Sequence, residues 1–119
     1  LKQGVFAVGL EEGCAFTPGA FARADKFIVD DIPLARHFDE ISSDRLTEEG
    51  ISAPAFPGGM PPIYATISEI VTGLKPGRES DVERIIAIPL GMAILDVAVA
   101  RLIYDKAVDL GIGQCYRFS

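Results

Sequence analysis

The feature that most constrains this chain is a repeated passage from a short, unbroken apolar run into a helix-type pattern. The runs "GVFAVGL" (4–10), "KFIVDD" (26–31) and "VERIIAIPL" (82–90) are rich in Val, Ile and Phe and are closed by acids, Gly or Pro. Unbroken apolarity over so few residues marks strands buried on both faces, as in a parallel sheet. Between them lie helix signals. Thr17 is placed to cap a helix with Pro18 at its first position, running through Phe21 and Ala24. Asp31 is placed to cap a second, with Leu34, Phe38 and Ile41 on one face. The stretch 42–62 is heavy in Ser, Gly and Pro and reads as loop, with "FPGGMPP" excluding regular structure. A helix is expected over 63–73, stopped by Gly73, and the longest over 91–111, stopped by Gly111 and Gly113. "QCYRF" reads as a last short strand. This order gives an α/β fold with a parallel sheet and flanking helices.

Length and charge narrow the class. The chain has 119 residues, 49% of them hydrophobic, which suits one domain with a packed core. Eleven Lys and Arg against seventeen Asp and Glu give a net charge of −6, and the basic residues are scattered. Nucleic acid and anionic membrane are therefore not expected as partners. The most apolar window, 85–100, is interrupted by Pro89 and Asp96 and is shorter than the ~20 residues of a membrane span. Cys14 and Cys115 are far apart and match no metal-ligand spacing, so both are read as free thiols in a reducing cytoplasm, and no metal is expected. The opening "LKQG" lacks the basic and apolar regions of a secretory signal and reads as an entry into mid-fold, so a longer parent chain is the expectation.

Ligands of parallel sheets sit at the carboxyl ends of strands. Three such ends can be read: Gly9-Leu10-Glu11-Glu12, Asp30-Asp31, and Ile88-Pro89-Leu90-Gly91. A carboxylate just after a buried strand can be held in a partly dry pocket and serve as general acid or base, although the residues alone favour a solvated acidic turn at Glu11-Glu12. Asp30 and Asp31 have an ordinary use in capping the following helix. His37, the single histidine, reads as a helix-surface residue. No G-x-G-x-x-G or Walker loop is present, so this chain carries no phosphate-cradling turn. In the last helix Met92, Leu95, Val99, Leu102 and Ile103 form one apolar stripe, which Ala93, Val97, Ala100 and Tyr104 extend around the helix. A helix apolar on nearly all sides is expected to be covered. Its early acid, Asp96, is then expected to be buried with a partner. Arg101 is poorly spaced for that role, because helical neighbours are three or four residues apart.

Taken together, "VFAVGLE", "DKFIVDD", "ISEIVTGLKPGR" and "IIAIPLGMAILDVAVARLIYDKAVDLGIG" resemble, in order and spacing, the C-terminal portion of the ornithine cyclodeaminase/mu-crystallin family. The last piece is the most specific. The resemblance implies that residues 1–90 form the second half of a Rossmann-type NAD(P)-binding sheet. Residues 91–119 would form a helix returning to a substrate and dimerisation domain. It implies NAD or NADP as cofactor, an amino acid or its imine as substrate, and a homodimer. It places Val8, Gly9, Leu10 and Pro89 against the cofactor and Leu90 and Gly91 towards substrate. It sets Glu11 where the family has a catalytic Asp, with Glu12 as fallback. Two departures stand out: Glu reaches one methylene further than Asp, and Pro89 replaces a hydroxyl residue. By the same resemblance Asp96 faces the interdomain cleft, and the phosphate loop, ribose-reading acid and substrate clamp precede the equivalent of Leu1. The alternative reading is a non-catalytic binding or assembly module that keeps the fold.

Overall fold

The computed structural model describes residues 1–10, 15–48, 55, 56 and 58–117, with the backbone alone for 42–48. Four strands form one parallel sheet: β1 (Phe6–Val8), β2 (Lys26–Val29), β3 (Ala65–Thr66) and β4 (Ile85–Ile88), in the order β1-β4-β2-β3. The register sets Ala7 beside Ile86, Phe27 beside Ile86, and Ile28 beside both Ala87 and Ala65. The helices are α1 (Pro18–Phe21), α2 (Ile32–Glu48), α3 (Ile67–Val71) and α4 (Ala93–Leu110). This is the parallel α/β sheet with flanking helices that the alternation predicts.

Strand periodicity divides the apolar residues between two faces. Phe27, Val29, Ile86 and Ile88 point to one side, where Phe21 of α1, Ala35 of α2, Ala55 and Phe56 cover them. Phe21, Phe27 and Phe56 meet edge-on or tilted, with ring centroids 5.5 to 6.2 Å apart. Such pairs are worth about 0.5–1.5 kcal/mol each beyond their burial. Ile28, Ile85 and Ala87 point to the other side, where Tyr64 and Ile70 pack against them. Phe6 and Val8 lie on this second side and are 58% and 44% exposed. The expectation that the first strand is buried on both faces is therefore wrong here. β1 is an edge strand, and no element among the described residues lies over its outer face.

Local boundaries also differ from expectation, and α1 ends at Phe21, short of Ala24. α2 continues past Ile41 to Glu48, because Ser42 and Ser43 do not stop a helix and neither Gly nor Pro occurs before Gly50. The expected helix over 63–73 begins only at Ile67. Thr66 accepts a bond from Glu69 N at 3.2 Å, while the Glu69 carboxylate accepts from Thr66 N at 2.8 Å. This capping box fixes the helix start and leaves Ala65 and Thr66 extended as β3. Residues 114–117 carry no strand. Gly111 takes φ +62° and terminates α4 as the sequence indicates.

α4 departs most from expectation. None of its residues is buried, Asp96 included, and Leu102, Ile103 and Val108 are well exposed. The carboxylate is on the first turn, where it complements the helix dipole while remaining in water. Arg101 pairs at 2.8 Å with Asp105, four residues on. No helix among the described residues is long and apolar enough to cross a membrane.

Candidate active site at the carboxyl ends of the strands

Because β4 lies between β1 and β2, their carboxyl ends converge on one place. Gly9, buried just beyond β1, donates its N–H to Ala87 O at 3.0 Å. Leu10 then turns out and is 85% exposed. On the neighbouring strand Pro89, Leu90 and Gly91 make the bend into α4. Val8 and Pro89 are brought together, both lining an open apolar hollow of about 510 Å³ that also takes in Phe6, Ile28, Ile70 and Ala87. Leu90 goes the other way and packs against the covered core. Gly91 has φ +93°, which favours glycine, and a Cβ there would meet no atom within 4 Å. The bend thus presents bare backbone to open space.

Glu11 and Glu12 lie outside the described residues, as does Cys14. Cys115 is an exposed free thiol, and His37 is exposed on α2. Of the two acids after β2, Asp31 behaves as read: its carboxylate accepts from Leu34 N at 2.7 Å and caps α2. Asp30 does not cap the helix. Only 5% exposed, it accepts from Asp31 N at 3.0 Å and, across the sheet, from Gly91 N at 2.7 Å. It therefore fastens the end of β2 to the Pro-Leu-Gly bend. The sequence carries one hint of this role, since the second acid alone suffices to cap the helix and leaves the first free for other work.

The amino ends of the strands have a different character. Lys26, 5% exposed, reaches Gly77 O and Glu79 Oε2 at 2.6 Å and Glu83 Oε1 at 3.1 Å, and lies 4.9 Å from the Tyr64 ring centroid. Burial works against its charge, but Glu79 and Glu83 outweigh that and raise its pKa above 10.5. Glu83 is held below the usual carboxylate range, first by the Glu79 N–H and then by Lys26. Arg78 donates to the carbonyls of Val5, Ser80 and Glu83. These contacts tie the connecting loop to the sheet, and Gly77 and Arg78 also border the far end of the hollow from Val8 and Pro89.

An open parallel sheet with helices beside it, and a ligand side expected at the carboxyl ends of its strands, is the arrangement of Rossmann-type α/β proteins. The chain belongs to the ornithine cyclodeaminase/mu-crystallin family, whose model matches residues 17–111. It is 39% identical over 93 residues to an alanine dehydrogenase of Archaeoglobus fulgidus, covering 78% of this chain and 26% of that protein. It is 41% identical over 56 residues to a Delta(1)-pyrroline-2-carboxylate reductase of Bacillus cereus, covering 47% and 17%. Among solved structures, an archaeal alanine dehydrogenase dimer with bound NAD superposes with a TM-score of 0.62 at 31% identity, over 100% of this chain and 36% of that one. The Thermococcus litoralis Delta(1)-pyrroline-2-carboxylate reductase, in complex with NADH and L-proline, also gives 0.62, at 23% identity, a likeness of fold. The chain thus spans about a quarter of the length of the first of these curated relatives.

Proposed function

We propose that this chain supplies one wall of the active site of an NAD(P)-dependent enzyme acting on an amino acid or its imine, by amino-acid dehydrogenation, imine reduction or cyclodeamination. In this reading residues 1–90 belong to the nucleotide-binding sheet, residues 91–119 lead back to a substrate and dimerisation domain, and the working form is a cytoplasmic homodimer. The observation that carries it is the crevice where Val8 and Pro89 meet beside the bare backbone of Gly91, at the carboxyl ends of paired strands. An apolar wall next to a side-chain-free bend fits the flat ring of a nicotinamide.

Val8, Gly9, Leu10 and Pro89 would hold that ring, and Leu90 and Gly91 would border the substrate. When bound, the cofactor supplies or accepts the hydride at the substrate α-carbon. Val8 and Pro89 keep bulk water from one side of the ring, which leaves the hydride to pass between ring and substrate carbon. Glu11 follows Gly9 by two residues, so its backbone is tethered within about 7 Å of it. Its carboxylate is the general base in this reading, taking a proton from the amine or water that adds to the imine carbon and returning it on the reverse path. The alanine dehydrogenase and the pyrroline-2-carboxylate reductase among the chain's relatives have activities of this kind.

The test is Glu11→Gln in the intact protein, followed by NAD(P)H oxidation with a 2-oxo acid plus ammonia or with pyrroline-2-carboxylate. The rate should fall by at least ~100-fold while NAD(P)H affinity stays within about threefold, because the amide keeps the size but loses the base. A wild-type protein that binds NAD(P)H yet oxidises none of it with these substrates would instead favour a binding module.

A further inference from the structure

We infer that Asp30 is a positioning residue of this crevice: its carboxylate holds the Pro89–Gly91 bend at the spacing from β2 that keeps Gly91 in place where it borders the substrate. The inference rests on the nicotinamide reading above and adds to it a residue that never touches the ligand.

Three observations support it. Asp30 is buried to 5% exposure, and a carboxylate removed from water is retained only where its bonds are made. Both its oxygens accept from backbone N–H groups, Asp31 at 3.0 Å on its own chain segment and Gly91 at 2.7 Å on the neighbouring one. The short bond falls on the residue whose φ of +93° and open surroundings make it the least self-supporting part of the bend. Without Asp30 the Gly91 N–H would have no acceptor in place, and glycine has no side chain to hold the turn by packing. Because Leu90 is anchored in the covered core on the β4 side of the bend, rotation at Gly91 would displace Gly91 itself and the start of α4, the part of the bend that borders the substrate in this reading. Misplacement of about 1 Å there costs on the order of 100-fold in rate, far more than it costs in binding.

The experiment compares Asp30→Asn with Asp31→Ala in the intact protein. Asparagine must turn an NH2 towards one of the two N–H donors, so one bond is replaced by a clash of donors. Asp31→Ala removes the α2 cap and serves as the control for lost stability. Well below both unfolding midpoints, Asp30→Asn should lower kcat by about tenfold or more relative to Asp31→Ala, with the Kd for NADH or NADPH changed by less than about threefold. The Gly91 amide should also exchange with solvent at least about tenfold faster in Asp30→Asn, while the Gly9 amide, bonded to Ala87, keeps its protection. Equal kcat in the two variants, or an unchanged Gly91 exchange rate, overturns the positioning role and leaves the nicotinamide reading intact. A wild-type protein that transfers no hydride overturns the reading itself, and the inference with it. If Asp30→Asn does not fold, Asp30→Ser, which retains an acceptor on a shorter arm, is measured in its place against the same control.

Discussion

The two ends of the sheet are built on opposite principles. At the amino ends, Lys26, Glu79, Glu83 and Arg78 close on one another and on backbone carbonyls, so the charges are spent on joining the connecting loop to β1 and β2. At the carboxyl ends the strands are joined by backbone bonds and one buried carboxylate, beyond which lies a glycine bend, and Val8 and Pro89 there form one end of the apolar hollow that runs along the uncovered sheet face. The difference teaches where stability and chemistry are separated: one end is closed by interactions that satisfy each other, and the other leaves its surface to be satisfied by something else.

The strongest way to break this division is Lys26→Met. It leaves Glu83 and the Gly77 carbonyl without their partner, and should cost about 2–3 kcal/mol in denaturant unfolding, under the ~3–5 of a fully buried pair because Glu79 remains in water. Nicotinamide-nucleotide affinity, measured well below the midpoint, should not change. A large affinity loss with little loss of stability would show that the two ends are coupled.

Gly91→Ala probes the opposite end. The added methyl meets no neighbour, so the cost is the positive φ alone, about 1–2 kcal/mol, well seen as a lowered unfolding midpoint. Here ligand binding should weaken, since in the proposed reading Gly91 borders the substrate. Binding unaffected by the methyl would place the ligand elsewhere.

The smallest effect is the dependence of stability on pH. Glu83 and Glu69 have pKa values lowered from 4.5, Glu83 chiefly by the Glu79 N–H and Glu69 chiefly by the Thr66 N–H. Carboxylates with depressed folded values add stability above their unfolded pKa and lose it as pH falls through the folded one. The midpoint should therefore decline below about pH 4.5, and Glu83→Gln should flatten that decline. At the alkaline end Lys26, raised above 10.5, acts in reverse: its contribution is complete below that value and disappears as pH climbs through the higher folded pKa. A decline of equal slope in Glu83→Gln would assign the acid sensitivity to other groups.

Much of this architecture can be read from the chain, because buried strands need unbroken apolar runs and helices need caps. The runs around Phe27 and Ile86, the Thr17-Pro18 start and the Gly111 stop all follow from such local rules. β3 escapes the same reading because two residues carry no periodicity, although the Thr66-to-Glu69 capping box that delimits it was there to be seen. The candidate site is legible in outline, as strand ends in a parallel sheet, but Asp30 is not. Its bond to Gly91 spans 61 residues, and the surplus of one acid over what the cap needs does not tell where that acid reaches. Apolarity misleads twice, at β1 and at α4: composition records that a surface prefers to be covered, while what covers it is a property of tertiary structure.

That last point bears on how the chain would come apart. With no side chain of α4 buried, nothing in the sheet reinforces its hydrogen bonds, and its persistence depends on residue propensities, in which alanines favour the helix and the β-branched Val and Ile oppose it. Taken by itself, the polypeptide then has two structural units whose melting is not obliged to coincide, so a single transition temperature would describe neither.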